Sequence, residues 1–224
     1  MLRAEVGLVE SQVRSRDRSR PHYGRKLYHA LMGAVCFSLY AFVLNRSQAL
    51  WTLALIGVPF ILLDLSRQWF PQIRDMSLRL FGSVMRHDEL TGISANSFYL
   101  VGLMVVTAVF PKPVTLLAVL FLGMGDPIAA IVGTRWGRHK IWTSGALAKK
   151  SFEGAAANAV LSVIATFIFA LTYMGLSVDK AGWLAVMGGV ASTFAEILPL
   201  PIDDNFTIPV VSASLLYFLA LPIL

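Results

Sequence analysis

Three short segments of the chain carry residue types that could do chemistry. Gly123-Met124-Gly125-Asp126-Pro127 places a carboxylate inside an apolar run. Lys149-Lys150-Ser151-Phe152-Glu153-Gly154 offers ammonium groups and a helix start, both of which favour phosphate. Leu200 to Pro209 sets Asp203, Asp204 and Asn205 between prolines, a hard oxygen set of the kind magnesium accepts while it keeps several waters. Joined to Asp126 and Glu196, these groups point to phosphoryl or nucleotidyl transfer assisted by a divalent cation. Each segment also has a plainer reading. Asp126 could cap a restarted helix, the lysines could be simple topology charge, and Asp-Asp-Asn is common in solvated turns. Gly145 to Ser151 ends in Lys-Ser but lacks the glycine and spacing of a phosphate-binding loop.

The elements that must hold these residues are apolar. Of 224 residues, 56% are hydrophobic and only 14% charged, with a mean hydropathy of +0.67. A soluble domain carries about 25% charged residues. Apolar runs of membrane-crossing length recur, which predicts an all-α, polytopic membrane bundle of about seven spans: 27–44, 49–66, 93–110, 114–134, 154–176, 181–198 and 207–224. Residues 1–26 form a basic tail and 27–224 a single transmembrane catalytic domain. Between the second and third spans, Ile73, Met76, Leu78, Leu80, Phe81, Val84 and Met85 alternate with Arg74, Arg79 and Arg86, the pattern of an interfacial amphipathic helix. Pro127 removes a backbone donor and is expected to break or kink the fourth span beside Asp126. The one cysteine, Cys36, lies in an apolar run and excludes a disulfide framework or a cysteine metal cluster.

The net charge of +6 is topological and does not signal nucleic acid. With the N-terminus in the cytoplasm, the inner side receives Arg3, Arg14, Arg16, Arg18, Arg20, Arg25 and Lys26 from the tail. Arg67, Arg74, Arg79, Arg86, Arg135, Arg138, Lys140, Lys149 and Lys150 follow from loops. Only Arg46, Lys112 and Lys180 fall outside, so the positive-inside rule places the N-terminus in and the C-terminus out. The acids Asp64, Asp126, Glu153, Glu196, Asp203 and Asp204 then share the inner half of the membrane or its inner surface. Such residues are expensive there and are functional candidates. Gly125, Ala129 and Gly133 form a small-residue stripe that could pack within the protomer or support a homodimer.

In order and character these clusters resemble the family of CTP-dependent lipid kinases (dolichol or polyprenol kinase, phytol kinase and fungal-type diacylglycerol kinase), related to phosphatidate cytidylyltransferases. The matching elements are Arg25-Lys26-x-x-His29, Gly125-Asp126-Pro127-x-Ala129, Lys150-Ser151-x-Glu153-Gly154, and Asp203-Asp204-Asn205 followed by Thr207 and Pro209, over roughly residues 25 to 215. The resemblance implies transfer of a phosphoryl group from CTP to the hydroxyl of a membrane lipid alcohol (diacylglycerol, a polyprenol or phytol) at the cytoplasmic face of a cell inner membrane or endoplasmic reticulum.

By the same resemblance, Asp126, Lys150, Glu153 and Asp204 would be catalytic. Asp126, Asp203 and Asp204 would hold Mg2+ on the triphosphate. Lys150, with Lys149 and Arg135, would clamp phosphate oxygens, and Ser151, Gly154 and Asn205 would line the nucleotide site. Either Glu153 or Glu196 would take the hydroxyl proton. Arg25, Lys26 and His29 share one helical face, where they would touch nucleotide or headgroup or simply anchor the chain. Asp64 with Arg67, Arg86 with Glu89, and Thr91 to Asn96 are outlying candidates. The rival expectations are a cytidylyltransferase-like enzyme that attacks the α-phosphate, and an ion-coupled transporter that uses Asp126 and Glu196 as a relay.

Overall fold

The computed structural model describes residues 23–81, 89, 92–142 and 150–220. In chain order the helices are α1 (Tyr23–Ser38, running on as a π-helical turn Leu39–Val43), α2 (Arg46–Ser66), α3 (Pro71–Phe81), α4 (Ala95–Val109), α5 (Lys112–Leu120), a π-helical turn Phe121–Gly125, α6 (Asp126–Arg135), α7 (Phe152–Thr172), α8 (Val178–Ile197) and α9 (Asp204–Ala220). No strand occurs among the described residues. One isolated bridge joins Lys140 to Ser151.

Helices begin where the sequence supplies a cap. At α2, Asn45 and Gln48 bond reciprocally, side chain to backbone N–H, both at 2.9 Å. Ser94 opens α4 and Ser151 opens α7, each accepting from a backbone N–H three residues on. Asp203 Oδ1 accepts from Asn205 N at 2.9 Å at the start of α9. The α7–α8 turn uses Gly175 at φ +66°, a conformation that side chains with a Cβ resist.

Among the described residues, three helices are long and apolar enough to cross a membrane: Arg46–Ser66, the continuous Lys112–Arg135 unit, and Phe152–Thr172. At 1.5 Å per residue, 21 residues span about 31 Å, the thickness of a hydrocarbon core. Leu27–Val43, Ala95–Val109 and Asp204–Ala220 are shorter apolar helices. Each of the seven apolar segments of the sequence thus forms a helix, and α3 covers the first part of the amphipathic stretch. Residues 1–22, Arg86, Thr91 and 221–224 lie outside the described residues.

The Lys112–Arg135 unit is the axis of the bundle, 61% of its apolar window being buried against 17% for α2. Leu116, Leu117, Phe121 and Leu122 from this axis meet Leu184, Ile208 and Leu216 in the core. Meanwhile Trp51, Leu55, Phe42 and Trp183 are exposed, so the molecule presents an apolar surface as well as an apolar interior. That is the arrangement expected in lipid, because a soluble monomer rarely exposes large contiguous apolar area.

The proline does not break this axis. Pro127 lacks an N–H, and the helix widens one turn earlier, with Asp126 N donating to Phe121 O, before resuming as α6. A central helix packed on several sides absorbs the missing bond by adding a residue to one turn.

Hydrogen bonds sort the charged groups to two ends of the bundle. At one end Arg46 donates to the carbonyls of Thr107 and Ala108, at the finish of α4. Lys112 donates to Leu44 O at 3.1 Å, with its ammonium 5.0 Å from the Tyr40 ring centroid. Both cations satisfy carbonyls that helix termini leave open. At the other end lie Asp64, Arg67, Ser94 and Ser97, tied through Asn205 Nδ2 to Ala95 O at 3.2 Å, and beyond them Lys150, Glu196 and Asp204.

Candidate active site

Asp126 stands where the π-helical turn ends and α6 begins, on the buried axis. The chain leaves α6 at Arg135, turns through 136–142 and returns antiparallel to Lys150 and Ser151. Ile141 N donates to Lys150 O at 3.1 Å, and Phe152 N to His139 O at 3.0 Å. This return fixes Lys150 at the foot of α7. Its ammonium reaches Asp204 Oδ1 at 3.2 Å and also donates to the backbone carbonyl of Glu196.

Three helix ends therefore meet at one side chain: the start of α7, the finish of α8 and the start of α9. The electrostatics match, because a cation is favoured at a helix C-terminus and an anion at an N-terminus. Trp142 Nε1 satisfies the next α8 carbonyl, Ile197 O, at 3.0 Å. Lys150, Asp126 and Asp204 are the charged groups that act on the Glu196 carboxylate. Glu196 itself is buried, with Oε2 lacking a hydrogen-bond partner.

Other expected residues do different work. Glu153 turns to the 136–142 segment, accepting from Arg138 N and His139 N at 3.1 Å each and pairing with His139 Nδ1 at 2.8 Å. Ser151 Oγ is buried and accepts from Gly154 N at 3.1 Å. Gly154 is where α7 crosses α6, since a Cβ there would sit 2.5 Å from Ala129 O. Asp203 caps α9, and Asn205 is buried with its amide donating to Ala95 O.

His29 is buried with its ring 6.1 Å from that of Tyr99 in α4. Arg135 is exposed, its guanidinium 5.3 Å from the Trp136 ring. The side chains of Arg25 and Lys26, and Lys149 altogether, lie outside the described residues. Gly125, Ala129 and Gly133 are all buried, so the small-residue stripe packs within the protomer.

One feature of the site was missed in the sequence. Asn158 Oδ1 accepts from Ser162 Oγ and Ser192 Oγ, both at 3.1 Å, and the two hydroxyls are 2.9 Å apart. This buried trio presses on Gly125, where a Cβ would lie 2.3 Å from Asn158 Oδ1, and so braces the turn that carries Asp126. The signal was available: Asn158, Ser162 and Thr166 recur every four residues in an otherwise apolar helix, where polar groups demand partners.

A helical protein with an apolar surface, and with ammonium and carboxylate groups converging at one end, has the make-up of a membrane protein with a polar site at one end of its bundle. No family model matches the chain, and no solved structure matches it. Among characterised proteins, CTP-dependent diacylglycerol kinase 1 of Saccharomyces cerevisiae is 30% identical over 210 residues, covering 84% of this chain and 70% of that one. The protein of the same name from Schizosaccharomyces pombe is 28% identical over 207 residues, covering 87% and 92%. A phytol kinase of Synechocystis is 32% identical over 124 residues, covering 54% and 48%. The chain belongs to the CTP-dependent lipid kinase family.

Proposed function

We propose that this chain transfers the γ-phosphoryl group of CTP to the hydroxyl of a membrane lipid alcohol, diacylglycerol before phytol or a polyprenol, at the cytoplasmic face of its membrane. The reading takes 27–224 as one seven-span catalytic domain behind the basic tail 1–26. The observation that carries it is the convergence of Asp126, Lys150, Glu196 and Asp204 in a chain that aligns over 84% of its length with a CTP-dependent diacylglycerol kinase. Diacylglycerol comes first because the relatives named for it cover more of this chain than the Synechocystis phytol kinase does.

Among the described residues no three of His, Cys, Asp and Glu come close enough to hold a metal ion by themselves. Mg2+ takes one or two carboxylates and leaves its other positions to water and substrate phosphates. Asp126 and Asp204 are the residues that would hold it, while Asp203 caps α9. When bound, the ion neutralises charge on the triphosphate. Lys150 supplies a fixed positive charge at the same place, oriented by Asp204 and the α8 terminus so that little reorganisation is needed during transfer. Arg135 and the α7 N-terminus extend the phosphate-binding surface, and Lys149, next to Lys150 in sequence, adds positive charge. Glu153 holds the 136–142 segment in position from below.

The test uses purified protein in detergent with Mg2+ and γ-labelled CTP or ATP, offered diacylglycerol, phytol or a polyprenol beside an Asp204→Ala control. Label in the lipid from CTP, absent in the control, is the expected result. Pyrophosphate released only when phosphatidate is supplied would move the chain to cytidylyl transfer. No turnover with any acceptor would remove the kinase reading.

A further inference from the structure

Among the described residues, Glu196 Oε2 is the carboxylate oxygen that is buried without a hydrogen-bond partner. Asp64 accepts from Arg67 Nε, Ser94 N and Ser97 Oγ. Glu153 holds Arg138 and His139, Asp203 caps α9, and Asp204 pairs with Lys150. Glu196 differs. The residue is 6% exposed, and its Oε2 is buried with no hydrogen-bond partner. A buried carboxylate oxygen left unpaired is costly, and native structures seldom keep one without a reason.

The neighbours narrow what that oxygen awaits. Lys150 gives its hydrogen bonds to the backbone carbonyl of Glu196 and to Asp204, not to the Glu196 carboxylate. One turn back, the Ser192 hydroxyl donates to Asn158. A carboxylate oxygen accepts hydrogen bonds, and a phosphate oxygen is an acceptor too, so what completes Oε2 is a donor. A neutral O–H group is such a donor. The connection that follows Glu196 is apolar at its surface, with Leu200 and Ile202 both exposed. A molecule fitting both features has a hydroxyl at one end and a hydrocarbon body.

We propose that Glu196 Oε2 is the docking point for the acceptor's hydroxyl, with the apolar body of that lipid alcohol lying over Leu200 and Ile202. This rests on the phosphoryl-transfer reading and divides the site in two. Lys150, Asp126 and Asp204 face the nucleotide, and Glu196 faces the alcohol.

The experiment compares full-length wild type with Glu196→Gln and Ile202→Glu in mixed micelles. Ile202 is exposed, so its variant tests the apolar rim without disturbing the core. Rates are measured against diacylglycerol at saturating CTP and against CTP at saturating diacylglycerol. Thermal stabilisation by Mg·CTP alone and by dioctanoylglycerol alone is recorded in parallel. Glu196→Gln is expected to raise the KM for diacylglycerol about tenfold or more, as loss of a hydrogen bond to a charged group does. Its KM for CTP and its Mg·CTP stabilisation should stay within about twofold of wild type. Ile202→Glu is expected to raise the lipid KM alone. Parallel loss of Mg·CTP stabilisation in Glu196→Gln would assign Glu196 to the nucleotide or its cation and overturn the proposal. Unchanged constants for both substrates would overturn it as well. A wild type that phosphorylates no alcohol, yet loses dioctanoylglycerol stabilisation on Glu196→Gln, would sink the kinase reading and leave the alcohol site standing.

Discussion

Lys150 Nζ lies 3.2 Å from Asp204 Oδ1 across 54 residues of sequence, and the same ammonium donates to the carbonyl of Glu196. One side chain thereby holds the start of α7, the end of α8 and the start of α9 in register. The Lys150 side chain is only 11% exposed against 45% for Asp204, so the lysine is the committed partner and the carboxylate keeps a face toward solvent. That asymmetry suits an aspartate with a second duty.

Lys150→Ala should lower CTP-dependent phosphorylation by roughly a hundredfold or more, the usual effect of deleting a preorganised charge from a transfer site. Asp204→Ala should do the same. The double variant should be little worse than either single one, because the two groups act as a unit. Initial rates for the four proteins, each checked for folding by thermal unfolding in detergent, decide this. Additive losses would mean that the contact is incidental.

Glu153 should separate binding from turnover. Its carboxylate holds two backbone N–H groups and His139, so Glu153→Ala releases the segment that aligns Lys150. The KM for CTP should rise severalfold while kcat changes less. A kcat loss as large as that of Lys150→Ala, at unchanged KM, would show instead that Glu153 acts in the transfer itself.

The limits of the sequence are seen in the same residues. The apolar helices were legible because long apolar runs are a one-dimensional signal, and Ser151 was legible as a helix start, whereas the cap at Ser94 was not read. Asp126, Lys150 and Asp204 were legible as candidates from the cost of charge in an apolar chain. Their mutual arrangement was not, since it depends on how α8 and α9 end and begin against α7. Nor were the different surroundings of Glu153 and Glu196. Glu153 is taken up only because residues 136–142 fold back onto α7, a long-range event with no local mark. The π-helical turn escaped for a similar reason: Pro127 announces a defect, while the packing around the axis decides its form.

Gly154 and Gly182 form a matched pair for testing helix crossing. A Cβ at Gly154 meets a backbone oxygen at 2.5 Å, which cannot step aside cheaply, whereas a Cβ at Gly182 meets nothing within 4 Å. Gly154→Ala should lower stability by about 1–3 kcal/mol and reduce activity by displacing the foot of α7. Gly182→Ala should be neutral or slightly stabilising, since alanine is the better helix former. Thermal unfolding of both variants in the same detergent checks the contrast, and equal effects would contradict the α6–α7 crossing.

The buried Asp64–Arg67 pair gives the last prediction. Arg67 Nε bonds Asp64 Oδ1 at 2.6 Å and its Nη2 bonds Gly92 O at 2.6 Å, while Asp64 Oδ2 accepts from Ser94 N and Ser97 Oγ. Both side chains are at most 5% exposed. Arg67→Met should therefore cost about 3–5 kcal/mol, because it strands a carboxylate that two neutral donors cannot neutralise. Asp64→Asn alone should also destabilise, leaving a buried guanidinium without its counter-charge. The double variant Asp64→Asn/Arg67→Met removes both charges and keeps an oxygen for Ser94 and Ser97, so it should be more stable than either single variant. Denaturation of the four proteins in detergent measures the coupling. If the double variant is instead the least stable, the pair contributes net stabilisation beyond mutual neutralisation, and the α2–α4 corner depends on the ions themselves.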